Sequence, residues 1–502
     1  MQGSEHDPIA IEPLGADPRP EPAPIDAPKA NGHARALIDP KAPLDIARQV
    51  VETKYRFGKY RTLHHQQSVF QRWNGTHYAP VLEEELRAGI YSFLEKAVVQ
   101  GKDGFTAYKP TQTAVSGVFD ALRAVCQIAS DTRQPSWLWG YDGDPAAEII
   151  ACKNGLLHLP TGILTPHTPA FFGASSLTYD YNPEAPKPEA WLKFLNDVWG
   201  SDIDSIATLQ DIFGYLLGND TDQQKLFLAV GPKRSGKGTI ARVANSMLGE
   251  DAVVSPTLAS LETNFGIAPL IGKSTGIIAD ARLSSRADQH RIAERLLSIS
   301  GEDKQTIDRK FLPAWSGRLP IRFFIMTNEL PKIADASGAL ISRFIVLTMT
   351  KSFYGHEDRG LTKKLMAELP GILNWAIDGW RRIKSRGHFI QPKASAEAVR
   401  DLEDLGSPIA AFVRDKCILA PGREVVMDDM FVAWTMWCKD QARSHPGTKQ
   451  SFGRDLRSVV PGLASTQPTE DGERIRKYQG IDLIEPIDKQ DENYWNWRRD
   501  QF

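Results

Sequence analysis

The sequence has few cysteines, no long apolar run and almost no net charge. Of its 502 residues, four are cysteines, and no two of them form a Cys-x-x-Cys pair. That spacing argues against a zinc ribbon and a disulfide framework, and it is typical of proteins kept in a reducing cytoplasm. The sequence holds no apolar stretch long enough to span a membrane and no recognisable signal peptide. We therefore expect a cytoplasmic protein without a membrane partner.

The charge balance excludes a protein that binds nucleic acid through a global basic field. The formal net charge is −2. Any contact with DNA must therefore come from local basic patches, or from several subunits that bring such patches together. The length of the chain predicts two to four domains with ample material for packed cores.

Residues 231–239 form a glycine-rich stretch around which the rest of the sequence is organised. The stretch comprises Gly231, Pro232, Lys233, Arg234, Ser235, Gly236, Lys237, Gly238 and Thr239. The apolar run 226–230 before it predicts a buried strand, and the apolar spacing after it predicts a helix. A strand, a glycine loop with a lysine, and a helix make up the phosphate-binding P-loop pattern. Backbone N–H groups and the helix N-terminus would surround the phosphates of ATP, and Lys237 would bind the β- and γ-phosphates.

The residue after the P-loop lysine departs from the usual pattern. A serine or threonine normally stands there and holds Mg²⁺ through its hydroxyl group. Here Gly238 occupies that position and Thr239 follows it, which makes Thr239 the candidate hydroxyl ligand. The alternative interpretation of the whole stretch is a glycine-rich turn with a chance lysine.

Two further apolar strands are predicted to end in polar residues. The first ends at Asp280, and a carboxylate at a strand end holds Mg²⁺ in P-loop enzymes. The second ends at Asn328, which would orient water or touch the γ-phosphate. The alternatives are a helix cap or strand terminator for Asp280 and a turn-forming side chain for Asn328. The general base stays open, with Glu302 and Asp303 as candidates.

Basic residues accompany these strands. Lys304, Arg309 and Lys310 lie in a stretch interleaved with aromatic residues, which suits a hairpin that touches a nucleic-acid backbone. An ordinary solvated hairpin fits that composition equally well. Arg343 stands immediately before the next apolar strand. It would either reach the nucleotide of a neighbouring subunit as an arginine finger or form a surface salt bridge.

Composition and periodicity divide the chain into six segments. The predicted segments are a disordered Pro/Ala-rich tail at 1–43, a mixed α/β domain at 44–188, a helical collar at 189–222, an ATPase domain at 223–395, a winged-helix domain at 396–485 and a C-terminal tail at 486–502. Within the mixed domain, Asn74-Gly75 predicts the turn of a hairpin. We interpret His64 and His65 as surface or structural residues, and residues 142–144 as a solvated turn.

Apolar spacing after Pro408 predicts three helices followed by a hairpin with its tip at residues 470–473. Three helices and a hairpin are the layout of a winged-helix domain. Lys449, Arg454 and Arg457 would then lie on or beside the recognition helix. The alternative role of such a domain is contact with another protein.

The order of these motifs resembles that of the superfamily 3 helicases. The P-loop, the strand ending at Asp280, the basic stretch, the strand ending at Asn328 and finally Arg343 are similar to motifs A, B, B′, C and the arginine finger of that superfamily. From about Tyr55 to Ile484 the chain resembles the helicase part of the phage and plasmid primase-helicase family, which includes the poxvirus-type primase-helicases.

The resemblance implies an α/β protein with an AAA+-type P-loop ATPase core that assembles as a homohexameric ring. ATP and Mg²⁺ would lie between subunits, with Lys237 and Asp280 on one side and Arg343 reaching in from the next subunit. Asn328 would be the sensor. The basic stretch would form a hairpin in the central channel and move one DNA strand.

The implied function is that of an ATP-dependent DNA helicase in a phage, prophage or plasmid replication system. One alternative is a nucleotide-gated protein that binds an origin and recruits the helicase of the host. Another is a complete primase-helicase. The sequence shows neither a zinc cluster nor a convincing set of primase carboxylates, so we expect a primase to be a separate polypeptide. That primase and host replication proteins are the expected protein partners.

Overall fold

The computed structural model describes residues 29–30, 33–141, 143–281, 288–331, 333, 338–441, 443, 446–470 and 473–487. Most of the predicted N-terminal tail lies outside these ranges. Asp142 of the predicted turn, the centre of the predicted C-terminal hairpin tip and nearly all of the predicted C-terminal tail also lie outside them.

The helices of the described residues are mostly amphipathic, with their apolar sides buried. They are α1 Pro43–Lys54, α2 Glu83–Leu94, α3 Gln112–Val125, α4 Glu189–Trp199, α5 Ile203–Leu217, α6 Lys237–Leu248, α7 Gln289–Ser300, α8 Leu361–Ala367, α9 Leu369–Arg386, α10 Ala396–Gly406, α11 Pro408–Lys416, α12 Met427–Asp440 and α13 Lys449–Val459.

The strands of the described residues are mostly short. They are β1 Lys29–Ala30, β2 His33–Ala34, β3 Arg56–Phe57, β4 Tyr60–Arg61, β5 Leu63–Gln66, β6 Val69–Trp73, β7 Tyr78–Val81, β8 Val98–Gly101, β9 Gly104–Ala107, β10 Ser136–Trp137, β11 Ile149–Cys152, β12 Gly155–His158, β13 Ile163–Thr165, β14 Phe171–Phe172, β15 Leu226–Val230, β16 Val253–Val254, β17 Thr275–Ile278, β18 Gln305–Arg309, β19 Leu312–Gly317, β20 Arg322–Thr327, β21 Phe344–Thr348, β22 Cys417–Val426, β23 Ala464–Thr466, β24 Thr469–Glu470, β25 Glu473–Arg474 and β26 Lys477–Leu483.

The chain separates into two compact units that interleave along the sequence. The first consists of Met1–Tyr55 and Leu82–Cys126, and the second of Arg56–Val81 and Gln127–Phe502. These two units do not correspond to the six segments predicted from composition and periodicity. The six segments therefore stay predictions.

Helices α1, α2 and α3 form the core of the first unit. Val50 of α1 and Val118 of α3 are among the buried residues that recur at helical spacing. Leu37 pairs with Val98 of β8, and Ile38 is buried. These last residues of the predicted tail therefore take part in the fold of the first unit.

A five-stranded parallel sheet forms the centre of the second unit. Its strand order is β16–β17–β20–β15–β21, and all neighbouring strands are parallel. A strand that is covered on both faces has a continuous apolar sequence, as β15 has. Phe227 and Ala229 pack on one face with α4, α5, α6 and α9, whereas Leu226 and Leu228 pack on the other with α7. The sheet therefore lies between two layers of helices.

The predicted helical collar consists of α4 and α5, and α5 packs closely against α9. A Cβ atom added at Gly214 or Gly379 would collide with the backbone of the opposite helix, so glycine is required at both positions. Beside this contact the carboxylate of Asp211 is buried. It accepts hydrogen bonds from Arg382 at 2.7 Å and from Arg386 at 2.6 Å.

Small antiparallel sheets precede the collar in the second unit. β6 and β7 form the hairpin predicted at Asn74-Gly75, with Trp73 opposite Tyr78. The prediction of a structural role for His64 is consistent with its burial, since 1 % of its surface is exposed. It packs against the rings of Tyr78 and Trp139.

The C-terminal region contains the three helices predicted after Pro408, α11, α12 and α13, and an antiparallel sheet in the order β22–β26–β23. Strand β22 lies between the first two helices and was not predicted. Most of its side chains are exposed, and only Cys417 and Val425 are buried, so its sequence lacks the apolar alternation of a strand. Leu402 of the preceding helix α10 packs in the core of the central parallel sheet.

Within the described ranges, no helix combines the length and the apolar character needed to cross a membrane.

Candidate active site

Three of the predicted site segments meet at one edge of the central sheet. Strands β15, β17 and β20 are adjacent and parallel, so their carboxyl ends point the same way. The P-loop follows β15, Asp280 follows β17 and Asn328 follows β20. Ligands of open parallel sheets bind in the crevice beyond the carboxyl ends of the strands.

The P-loop lysine is enclosed by its own loop. The Nζ atom of Lys237 donates hydrogen bonds to the backbone oxygens of Gly231 at 2.6 Å and Pro232 at 2.8 Å, and to the hydroxyl of Ser235 at 3.0 Å. Lys237 is 9 % exposed, and this burial lowers the pKa of its ammonium group. An anion brought to this position would favour the charged form of the lysine.

Gly236 lies at the N-terminal cap of α6, with a φ of +103°, a conformation that other residues rarely adopt. A Cβ atom there would lie 3.0 Å from the ring of Phe194 and 3.3 Å from a methyl group of Val198. Helix α4 of the collar thus packs directly on the turn that begins α6. The glycine is needed both for the turn and for the close approach of this helix.

A cavity of about 940 Å³ opens above the P-loop. Its walls come from three parts of the second unit: one side of α4 from Ala190 to Asp197, the P-loop with the start of α6, and residues 353–364. Asn328 and Ala279 line its floor at the sheet edge. The volume is that of a small-molecule site, and the predicted phosphate-binding residues lie on its wall.

Two hydrogen bonds and an ion pair connect residues 352–357 to the P-loop. The Ser352 hydroxyl donates a hydrogen bond to the backbone oxygen of Lys233 at 2.9 Å. The backbone N–H of Phe353 donates to the backbone oxygen of Arg234, also at 2.9 Å. The Arg234 side chain lies 3.5 Å from the carboxylate of Glu357. These contacts place Phe353 on the cavity wall.

Arg242 occupies the space beside Gly238. One guanidinium nitrogen donates to the hydroxyl of Thr239 at 3.1 Å, and the other would lie 3.6 Å from a Cβ atom at Gly238. The arginine is four residues after Gly238, one helical turn along α6, and lines the cavity. It adds a cation to the phosphate side of the cavity.

The donor set at the sheet edge fits Mg²⁺ bound together with a nucleotide. Asp280 is exposed and directly follows Ala279, which lines the cavity, and the Thr239 hydroxyl on the cavity wall accepts a hydrogen bond from Arg242. No group of three or more His, Cys, Asp or Glu side chains that could hold a metal occurs among the described residues. Mg²⁺ in nucleotide sites commonly takes one or two protein oxygens and completes its shell with phosphate oxygens and water.

The two candidate bases lie away from the lining residues of this cavity. Glu302 accepts a hydrogen bond from the hydroxyl of Thr221 and lies 4.0 Å from Arg318. Asp303 is exposed. The assignment of a general base therefore stays open.

Arg343 lies at the end of a short 3₁₀ helix, outside the cavity of its own chain. Its guanidinium donates to the backbone oxygen of Leu297 at 2.7 Å and to the hydroxyl of Ser300 at 2.8 Å. These acceptors belong to the last turn of α7, where a cation interacts favourably with the helix dipole.

The predicted basic stretch forms a hairpin. Strands β18 and β19 pair antiparallel, and Phe311 at the turn is fully exposed. Lys304 and Lys310 are also exposed. Arg309 behaves differently, since its guanidinium donates to the backbone oxygens of Pro313 and Gln67, and burial lowers its pKa.

Comparison with known proteins gives two partial family matches. Residues 229–343 match a family described as being of unknown function (DUF5906), and residues 138–200 match a family described as D5 N terminal like. The first range runs from the P-loop strand to Arg343. The second range ends with helix α4, which forms one wall of the cavity.

Several solved structures are similar. One, titled "The A form apo structure of NrS-1 C terminal region-CTR(305-718)", is 12 % identical, with a TM-score of 0.51 over 88 % of this chain and 100 % of that chain. The chain shares that fold. Two other structures of the NrS-1 C-terminal region are 12 % and 11 % identical, cover 87 % and 88 % of this chain and 99 % and 100 % of their own, and both have a TM-score of 0.49. The D5 N-terminal-like match and the shared fold support the resemblance to phage primase-helicases.

Sequence reasoning missed three parts of the cavity wall: Phe194, Arg242 and residues 353–364. Phe194 lies within the predicted helical collar, and nothing in its sequence context indicates a ligand. The sequence could have indicated Arg242 as a residue of the site, because it lies one helical turn after the unusual Gly238. The segment 353–364 lies far along the chain from the P-loop, and only tertiary contacts bring it there.

Proposed function

We propose that the chain is a cytoplasmic ATP-dependent DNA helicase that acts in a phage, prophage or plasmid replication system. The observation that carries the proposal is the meeting of the P-loop, Asp280 and Asn328 at the carboxyl edge of one parallel sheet. Lys237 within the P-loop and the 940 Å³ cavity above it add a phosphate-binding group and space for a nucleotide.

The order of the strands supports an AAA+-type core. The P-loop strand β15 lies between β20 and β21, and the strand that precedes Asp280 lies next to β20. This arrangement puts the predicted metal carboxylate and the predicted sensor on the same side of the P-loop. A nucleotide in the cavity would then meet a cation at Lys237, a carboxylate at Asp280 and an amide at Asn328.

The chemistry follows from these groups. Mg²⁺ bound to ATP would neutralise charge on the β- and γ-phosphates, and Asp280 and Thr239 are the protein oxygens that would hold it. Lys237 would exchange its bonds to the loop oxygens for bonds to phosphate. Asn328 would orient the attacking water.

A ring of subunits accounts for the position of Arg343. The residue is about half-buried and lies outside its own chain's cavity, so within one chain it has no nucleotide to reach. In a homohexamer it would face the cavity of the next subunit and stabilise charge that develops during hydrolysis. The exposed hairpin with Lys304 and Lys310 would then contact DNA in the channel.

The C-terminal region supports a winged-helix assignment. A helix, a strand, two helices and a two-stranded return are arranged in that order, with α13 as the predicted recognition helix. Lys449 and Arg454 on α13 are both exposed. Each is paired with a carboxylate, Lys449 with Asp428 and Arg454 with Asp455, so a DNA phosphate would have to replace that partner.

Strand displacement on a forked DNA duplex with ATP and Mg²⁺ tests the proposal, with the Lys237→Ala variant alongside. We expect the parent protein to separate the strands and the variant to leave them paired. DNA-stimulated hydrolysis without displacement would favour the helicase-loading alternative. Equal hydrolysis by the parent and the variant would remove the P-loop assignment.

A further inference from the structure

An exposed row of aromatic side chains lies in the second unit, on residues that the proposed function does not use. β3 and β4 form a hairpin in which Phe57 stands directly opposite Tyr60. Residues directly opposite in an antiparallel pair project on the same face. The Phe57 ring lies 5.0 Å from the ring of Trp73, and the Tyr60 ring lies 5.2 Å from that of Trp139. The row therefore reads Trp73, Phe57, Tyr60, Trp139.

Two of the four rings in this row are largely open to solvent. Phe57 is 55 % exposed and Trp139 is 50 % exposed, whereas Tyr60 and Trp73 are partly buried. Trp139 has a φ of +59°. A bulky side chain in that conformation is uncommon, and such strain tends to occur at functional positions.

Three of the four rings lie on a positively charged segment, whereas Asp144 stands five residues after Trp139. Residues 56–81 contain four arginines or lysines and no aspartate or glutamate. The hairpin itself reads Arg-Phe-Gly-Lys-Tyr-Arg, and the Lys59 Nζ atom lies 5.2 Å from the centre of the Tyr60 ring. A local cationic segment with exposed aromatic faces suits a ligand that carries both stacking rings and negative charge.

We propose that this row, Trp73, Phe57, Tyr60 and Trp139, binds single-stranded DNA by stacking bases on its rings while Lys59 contacts the phosphates. Unpaired bases have open π-faces, and proteins that bind single strands commonly combine aromatic platforms with a basic groove. Bases within a duplex are already stacked on each other, so the row selects single strands. The inference goes beyond the proposed function, since binding here requires no ATP turnover.

One residue of the row, Trp73, belongs to the small sheet β5–β6–β7, which is hydrogen-bonded to the basic hairpin of β18 and β19. Arg309 of that hairpin donates a hydrogen bond at 3.1 Å to the backbone oxygen of Gln67, in the turn between β5 and β6. Strand β6 ends at Trp73, the first residue of the row. A single strand of DNA bound by the row would therefore have a second contact region nearby, the basic hairpin of β18 and β19.

The test is the affinity of the full chain for a labelled single-stranded oligothymidylate and for a duplex of equal length, measured by fluorescence anisotropy without nucleotide. Variants are Phe57→Ala with Tyr60→Ala, Trp139→Leu alone, and Lys59→Ala. Tyr91→Ala is the control, because Tyr91 is 39 % exposed on α2, outside the row. Thermal melting followed by circular dichroism verifies that each variant is folded.

We expect the paired aromatic variant to lose about tenfold or more in affinity for the single strand, since each stacked base contributes on the order of one tenfold step. Trp139→Leu should lose a similar factor, and both should bind the duplex as the parent does. Lys59→Ala should lower the slope of log affinity against log salt by about 0.7, as expected for one phosphate contact.

Three results would overturn the inference. The first is an unchanged single-strand affinity in both folded aromatic variants. The second is an equal loss for single strand and duplex, which would mean that the row acts on the backbone or on folding alone. The third is that the parent binds oligouridylate much more tightly than oligothymidylate and that the aromatic variants weaken only the binding of oligouridylate. That result would mean that the row binds RNA.

Discussion

Lys237 is held in the P-loop by oxygens that a phosphate group would have to replace. Its ammonium donates to two backbone oxygens and one hydroxyl, so the site is internally satisfied without ligand. Burial lowers its pKa, and a bound anion would reverse that effect. Under the proposed function, the lysine would exchange these bonds for bonds to phosphate when a nucleotide binds.

Lys237→Ala is expected to abolish ATP hydrolysis, because the phosphates lose the buried cation that stabilises charge in the transition state. Phosphate release under saturating ATP and Mg²⁺ measures the effect. Lys273→Ala serves as the control, since Lys273 is not among the residues that line the cavity and its ammonium donates to the backbone oxygens of Glu250 and Asp251. Turnover retained by Lys237→Ala would contradict the assignment.

His64 gives the chain a specific acid sensitivity. Burial and the nearby positive charge of Arg61 lower the pKa of His64 to about 3, whereas the unfolded value is about 6.5. Between these values the unfolded state binds a proton that the folded state does not. The free energy of unfolding should therefore fall as the pH drops from about 6.5 toward 3, by about 1.4 kcal/mol per pH unit from this group.

The His64→Gln variant tests this prediction, because glutamine does not titrate in that range. Urea unfolding of parent and variant at pH 7 and pH 5 should show a smaller loss of stability in the variant. His77 also has a pKa lowered by burial, and it is present in both proteins. An identical pH dependence of the two proteins would show that His64 is not the responsible group.

At the scale of secondary-structure elements, the contact between α5 and α9 depends on the absence of side chains. Gly379→Ala places a methyl group against the backbone of α5, and backbone atoms cannot rotate away. We expect a loss of about 1–3 kcal/mol in the free energy of unfolding, seen as a lower melting temperature.

Gly117→Ala in α3 is the matched control, since its methyl group would meet only Pro43 at an ordinary 3.8 Å. Alanine is the better helix former, so this variant should be unchanged or more stable by up to about 1 kcal/mol. Equal behaviour of the two variants would mean that α5 and α9 can separate without cost.

The hairpin of β18 and β19 should contribute to DNA affinity mainly through its two exposed lysines. Replacing Lys304, Arg309 and Lys310 together by alanine should weaken DNA binding and reduce its salt dependence by about 0.7 per lost phosphate contact. Arg309→Ala alone should change the slope little, because its guanidinium is bound to backbone oxygens. A salt slope unchanged in the triple variant would move the DNA contact elsewhere.

At the scale of the whole molecule, the arginine-finger proposal makes a prediction about mixed assemblies. Lys237→Ala and Arg343→Ala should each assemble and each fail to hydrolyse ATP. Mixed together, they should regain measurable hydrolysis, because some interfaces then combine an intact Lys237 with an intact Arg343 from the neighbour.

Hydrolysis by the mixture is compared with that of each variant alone at the same total concentration, after exchange of subunits. A mixture as inactive as its components would place Arg343 in a role within its own chain. That role would be to hold the end of α7 through its hydrogen bonds to Leu297 and Ser300. Full activity of Arg343→Ala alone would exclude a catalytic part for this arginine.

The sequence by itself predicted the P-loop pattern and the apolar strands that precede it, Asp280 and Asn328. The P-loop is a local structure whose glycines, lysine and helix start are contiguous, so its pattern can be read without knowing the fold. The apolar strands before Asp280 and Asn328 are equally local, because strands covered on both faces are apolar throughout. The three C-terminal helices could also be predicted from their apolar spacing.

Only the tertiary structure decided what surrounds that chemistry. Phe194 and Phe353 reach one cavity because helix packing and chain connections place them there, and nothing near them in sequence indicates a ligand. Strand β22 has too few buried residues to show a pattern, and it forms because β26 pairs with it. The aromatic row needs Trp139 to meet residues of an early hairpin, a contact set by the fold and not by sequence spacing.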